Sequence, residues 1–98
     1  MEIIQTRNND ELILTVKGEL SSSTYQQLEE VVSKSLNGIK TLIFDFKDLE
    51  YISSAGLRVL LISKKSLGDK GKMVVKNANT SIKEIFDITG FINIIDFE

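Results

Sequence analysis

The sequence predicts an α/β fold: a mixed β-sheet in the order β-β-α-β-α-β-α-β, with helices packed against it, in one domain covering residues 1–98. Two observations carry this reading. Short runs of aliphatic and β-branched residues alternate with longer segments whose apolar residues recur at helical spacing. Strands that alternate with helices pair in parallel through right-handed crossovers. The first two runs are separated only by a turn, so they form a hairpin and make the sheet mixed. A length of 98 residues suits one core and leaves no room for a second.

The elements follow in order. Residues 3–6 form a short strand, and Asn8-Asn9-Asp10 is a turn signal. Residues 12–16, Leu-Ile-Leu-Thr-Val, form the second strand, which Gly18 ends. Ser21-Ser22-Ser23 supplies helix N-cap candidates, and Ser23 with Gln26 fits a capping box. Tyr25, Leu28, Val31, Val32 and Leu36 share one helical face, with Gln27, Glu29, Glu30 and Lys34 largely off it. Asn37-Gly38 stops this helix.

Residues 41–46 are almost uninterruptedly apolar, which predicts a strand covered on both faces at the centre of the sheet. Lys47-Asp48-Leu49-Glu50 leads out of it. Residues 54–67 read as a second helix, started by serines and stopped by Gly68 and Gly71; residues 72–76 are another strand. Asn79-Thr80-Ser81 opens a third helix, with Ile82, Ile85, Phe86 and the methyl of Thr89 on one face and Gly90 at the C-cap. Residues 91–95 are the last apolar run and are expected to be a short edge strand. An open edge there would allow weak pairing of two copies.

Composition narrows the function. The chain is 42 % hydrophobic and 27 % charged, as folded domains are. Its net charge is −2 with no basic run, which argues against a nucleic-acid partner. It contains no Cys, hence no disulfide, thiol nucleophile or thiolate metal site. It contains no His, which removes the usual general base, the usual activator of a nucleophilic serine and the commonest transition-metal ligand. The G-x-S-x-G elbow is absent, and Gly68-Asp69-Lys70-Gly71-Lys72 lacks Walker A spacing and reads as a helix-to-strand turn. The expectation is a non-enzymatic domain without a cofactor or metal. No apolar run approaches the ~18 residues of a membrane span, and Met1-Glu2-Ile3-Ile4 does not begin a basic, then apolar, leader. The expected compartment is the cytoplasm, with no direct membrane insertion.

The most informative stretch is Tyr51-Ile52-Ser53-Ser54-Ala55-Gly56-Leu57-Arg58-Val59-Leu60-Leu61. It follows the expected central strand and opens a helix, and function in open α/β sheets tends to sit beyond the carboxyl ends of strands. One serine suffices to cap a helix; the second needs another explanation. Leu57, Leu60 and Leu61 form a stripe. Val59 and Ile62 lie off its centre, and they either widen the buried face or leave an apolar patch for a partner.

The run Asp45-Phe46-Lys47-Asp48-Leu49-Glu50-Tyr51-Ile52-Ser53-Ser54-Ala55-Gly56-Leu57 resembles the signature of bacterial anti-sigma factor antagonists, the STAS domains. Gly18-Glu19-Leu20 is similar to that family's ending of the second strand. Ser81-Ile82-Lys83-Glu84-Ile85-Phe86-Asp87-Ile88-Thr89-Gly90-Phe91 is similar to its third helix. The resemblance implies that Ser54 is a phosphate acceptor. It also implies a partner anti-sigma factor that is a serine kinase, bound only by the unphosphorylated form, and a serine phosphatase that restores binding. The expected partner-binding residues are Ser21, Ser53, Ser54, Ala55, Gly56, Leu57, Arg58, Val59 and Ile62. An alternative is an accessory subunit of a membrane lipid-transport or signalling-scaffold complex, with Ser54 mainly a helix cap. Two family carboxylates are replaced here: the Asp before the acceptor by Ser53, and the frequent Asp after Gly-Glu-Leu by Ser21. Many relatives also close with a further helix, so the covering of the final edge is open.

Overall fold

A computed structural model describes Met1–Glu98. The elements are β1 (Glu2–Asn8), β2 (Glu11–Leu20), α1 (Tyr25–Ser35), β3 (Thr41–Asp45), β4 (Leu49–Ile52), α2 (Ser54–Leu67), β5 (Lys72–Lys76), α3 (Thr80–Thr89), a 3₁₀ turn (Phe91–Asn93) and β6 (Asp96–Phe97). The strands form one mixed sheet in the order β1-β2-β3-β5-β6, with β4 also pairing with β2. β1 and β2 are the expected antiparallel hairpin, and every other pairing is parallel.

The strand order advances in one direction through three crossovers. Crossovers of the same right hand therefore stack all three helices on one face. The core agrees: Leu28 and Val32 of α1, Leu57, Val59 and Leu60 of α2, and Ile82 and Phe86 of α3 join one cluster. With them lie Leu12, Leu14, Val16 and Leu20 of β2, Leu42 and Phe44 of β3, and Met73 and Val75 of β5. On the opposite face Ile13, Ile43 and Val74 are neighbours across β2, β3 and β5. The burial expected on both faces of β3 is present, but its second face is shielded by these neighbours rather than by a helix.

Three local expectations are corrected. The segment leading out of residues 41–46 is itself a strand. β2 is long enough to pair with β3 through Thr15 and with β4 from Gly18 onward, across a register shift at Gly18/Glu19. Asp48 O accepts the Gly18 N–H at 3.0 Å where the partner changes.

The first helix begins at Tyr25, and the Ser23–Gln26 capping box does not form. Instead Thr24 Oγ1 accepts the Ser21 N–H at 2.8 Å and donates to Glu19 O at 2.8 Å, tying off a turn before the helix. On the helix's solvent face, a hydrogen bond from Lys34, and its charge, hold the Glu30 carboxyl below its ordinary pKa.

The last apolar run is not the edge strand. Gly90 takes the left-handed conformation (φ 80°), which L side chains rarely adopt, and turns the chain back. The N–H groups of Asn93, Ile94 and Ile95 then bond locally to Gly90 O and Phe91 O, leaving none for a ladder. β6 is only two residues beyond, paired with Val74 and Val75. The long unpaired edge belongs to β1 instead.

Candidate functional site

β2 and β4 are parallel neighbours that end side by side, with Leu20 opposite Ile52. The chain leaves β2 through Ser21 and leaves β4 through Ser53, so both serines sit at the same carboxyl edge of the sheet. Ser53 N–H donates to Leu20 O at 2.8 Å, which fixes the second exit against the first.

Ser53 and Ser54 have separate tasks. Ser53 is extended (φ −97°, ψ 176°) and caps α2: its Oγ accepts the Gly56 N–H at 3.4 Å, and its carbonyl accepts the Leu57 N–H at 3.0 Å. Ser54 is the first helical residue. It is exposed, and its hydroxyl makes no hydrogen bond. The second serine left over by the capping argument is thus a free hydroxyl at a helix N-terminus, where unpaired N–H groups and a partial positive charge favour an anion. Ser53→Ala is expected to cost about 1 kcal/mol of stability through the lost cap, measured by urea denaturation.

Gly56 is buried one turn in, pressed onto the strand ends. A Cβ there would come within 2.7 Å of Leu20 Cγ, 2.8 Å of Ile52 Cγ1 and 3.0 Å of Leu20 O. Its smallness serves the packing of α2 on the sheet. Gly56→Ala should therefore destabilise: overpacking costs about 1–3 kcal/mol, against the ~1 kcal/mol that alanine gains over glycine within a helix. A lowered urea midpoint checks the sign.

Among the expected partner-binding residues, Leu57 (6 % exposed) and Val59 (2 % exposed) are interior: Leu57 belongs to the buried stripe, and Val59 widens the buried face instead of leaving an apolar patch. Their helical positions turn them toward the core beneath α2. Arg58 and Ile62 do reach the surface, Ala55 is half-buried beside Ser54, and Ser21 is half-buried. Ser21 Oγ lies 3.1 Å from Ser23 Oγ and is held in the turn before α1.

Two residues missed by the sequence reading complete the site. Tyr25 and Glu29 of α1 line, with Ser54, Ala55 and Arg58, a surface cavity of about 540 Å³. Tyr25 falls on the apolar face of its helix and Glu29 on the polar face, so neither stood out. The signal that locates them is topological: adjacent parallel strands launch their helices from the same edge. From Glu29 a groove of about 250 Å³ continues between α1 and α2, over Val32, Leu36, Val59 and Ile62. Arg58 and Glu29 give the cavity one charge of each sign. No three His, Cys, Asp or Glu side chains come together as a metal would need, and no helix is long and apolar enough to cross a membrane.

Comparison with known proteins bears on this arrangement. The profile described as "STAS domain" matches residues 2–98. BtrV of Bordetella bronchiseptica, a candidate anti-sigma factor antagonist, is 33 % identical over 96 residues, spanning 96 % of this chain and 83 % of BtrV. An anti-sigma factor antagonist from Mycobacterium paratuberculosis superposes with a TM-score of 0.89 at 18 % identity, over 98 % of this chain and 83 % of that one. The anti-sigma factor antagonist SpoIIAA in its unphosphorylated form gives 0.78 at 16 % identity, over 99 % and 87 %. The phosphorylated form of SpoIIAA, from Bacillus, gives 0.77 at 17 % identity, over 99 % and 91 %. At such identities the structural likenesses establish the fold alone.

Proposed function

The chain belongs to the STAS domain family, and from that premise we propose that it is an anti-sigma factor antagonist switched off by a phosphate on Ser54. Unmodified, it binds a cytoplasmic anti-sigma factor that is also a serine kinase, and a sigma factor is released. Transfer of phosphate to Ser54 ends the complex, and a serine phosphatase restores it. The domain acts by binding and performs no chemistry of its own.

The observation that carries this reading is the division of labour at the start of α2. Ser53 already caps the helix, so Ser54 is spare, exposed and free of hydrogen bonds. A phosphate there meets helix N–H groups, so the fold tolerates it. It adds about −1.5 to −2 charges at pH 7 and a strongly hydrated group at the surface. The docking face is the rim around Ser54, with Arg58, Ile62 and the groove between α1 and α2. Ser53 in place of an Asp keeps the cap but takes one carboxylate away from the acceptor, so a kinase that reads this site must do so without that charge.

The test is peptide mapping by mass spectrometry after incubation with the anti-sigma factor and ATP. One phosphate on Ser54 is expected. Ser54→Ala should take up none and still bind the partner. Phosphate on Ser53 would refute the site assignment.

A further inference from the structure

We propose that Arg58 is the built-in receptor for the phosphate on Ser54, closing an Arg58–phosphate pair along one face of α2. The inference rests on Ser54 being the acceptor, and names what holds the modified state.

Ser54 and Arg58 are four residues apart in α2, so they lie on one face, one turn apart. Helical side chains lean back toward the helix N-terminus, which carries the Arg58 stem over the turn that begins with Ser54. Both residues line the same cavity. Arg58 is exposed and uncommitted: the ion pairs of the chain are Lys34–Glu30 and Lys76–Glu98, and no hydrogen bond engages the Arg58 guanidinium. Glu29, on the facing wall, therefore has no nitrogen of Arg58 within 4 Å, and nothing in the unmodified protein must be broken for Arg58 to swing onto a phosphate. The guanidinium fork suits two phosphate oxygens at once, and such charge-assisted pairs are about twice as strong as neutral hydrogen bonds.

Two consequences follow. Arg58 is available to a partner's carboxylate only while Ser54 is unmodified, so phosphorylation adds negative charge and also withdraws a positive group from the docking face. The phosphate is held in its dianionic form by the helix N–H groups together with Arg58. The other titratable groups on the cavity are Tyr25 and Glu29. Glu29 opposes the dianion, and Arg58 must outweigh it.

The experiment uses full-length protein with phosphoserine incorporated at position 54 during synthesis, so no kinase is needed. The second phosphate pKa is read by ³¹P NMR titration in the parent, Arg58→Gln and Arg58→Lys proteins. The parent is expected to titrate below the ~6 of a free phosphoserine. Arg58→Gln should raise the midpoint by about half a pH unit or more, and Arg58→Lys should fall between, because an ammonium supplies charge without the fork. Arg58 is on the surface, so its replacement leaves the core intact. Identical midpoints in the parent and Arg58→Gln proteins overturn the proposal, even if a kinase labels Ser54. Failure of a kinase to label Ser54 would overturn the switch reading and leave this titration unaffected.

Discussion

Phosphate on Ser54 is expected to weaken binding to the anti-sigma factor by roughly 30- to 4,000-fold, the equivalent of about 2–5 kcal/mol for a charge buried against a partner that cannot match it. The magnitude follows from desolvation. An exposed hydroxyl enters an interface cheaply, whereas a dianion must shed tightly held water. Pairing with Arg58 offsets only part of the charge. Ser54→Ala should bind like the parent, because the side chain it removes makes no hydrogen bond in the free protein. Ser54→Asp should fall between the two, since it carries one charge where phosphate approaches two. Calorimetric titration of the three forms against the same partner checks the order.

The second large effect is on the fold. Phe44→Ala should cost about 3–5 kcal/mol. Phe44 lies in β3, one residue from its end, with no exposed surface and a ring centroid 5.8 Å from that of Phe46. β3 is hydrogen-bonded to β2 on one side and β5 on the other, so the surrounding side chains are fixed by the sheet and cannot collapse into the space left. For a domain of this size each kcal/mol moves the melting temperature by about 4–8 °C, so a fall of more than ~12 °C is expected. Total stabilities of about 5–15 kcal/mol make such a loss a large share of the whole. A fall of only a few degrees would show that the core under the site relaxes more freely than its burial indicates.

The elements visible in the sequence were those whose periodicity is undisturbed. β2 alternates from Leu12 to Val16, β3 and β5 are short unbroken apolar runs, the three helices each keep one apolar face, and Asn79 and Gly90 mark α3 in the expected way: Asn79 Oδ1 accepts the Ile82 N–H at 2.9 Å. β4 was hidden because its buried residues, Leu49 and Ile52, are three apart rather than two. The register shift against β2 moves the alternation by one residue, and that shift depends on a partner strand thirty residues away. The turn at Phe91–Asn93 was hidden because apolar content alone does not separate a strand from a turn that anchors itself by Phe91 and Ile95.

At the site, Ser54 was legible because one cap needs one serine. The fate of Val59 was not, since helical position gives a direction but not what lies there. The core reaches far enough around α2 to take Val59 in and leave Ile62 at the rim. Tyr25 and Glu29 became neighbours of Ser54 only through the sheet order, which no local pattern encodes.

The claim on which the account depends is that charge at Ser54 acts on the surface and not on the fold. It is tested most directly by ¹H–¹⁵N correlation spectra of the fully Ser54-phosphorylated protein, recorded alone and with the anti-sigma factor. A well-dispersed spectrum is expected, with shifts confined to the start of α2 and to Tyr25 and Glu29, and no change on adding a partner that broadens the unmodified protein. Loss of the α2 and sheet resonances on phosphorylation, or undiminished binding by the modified protein, would contradict it.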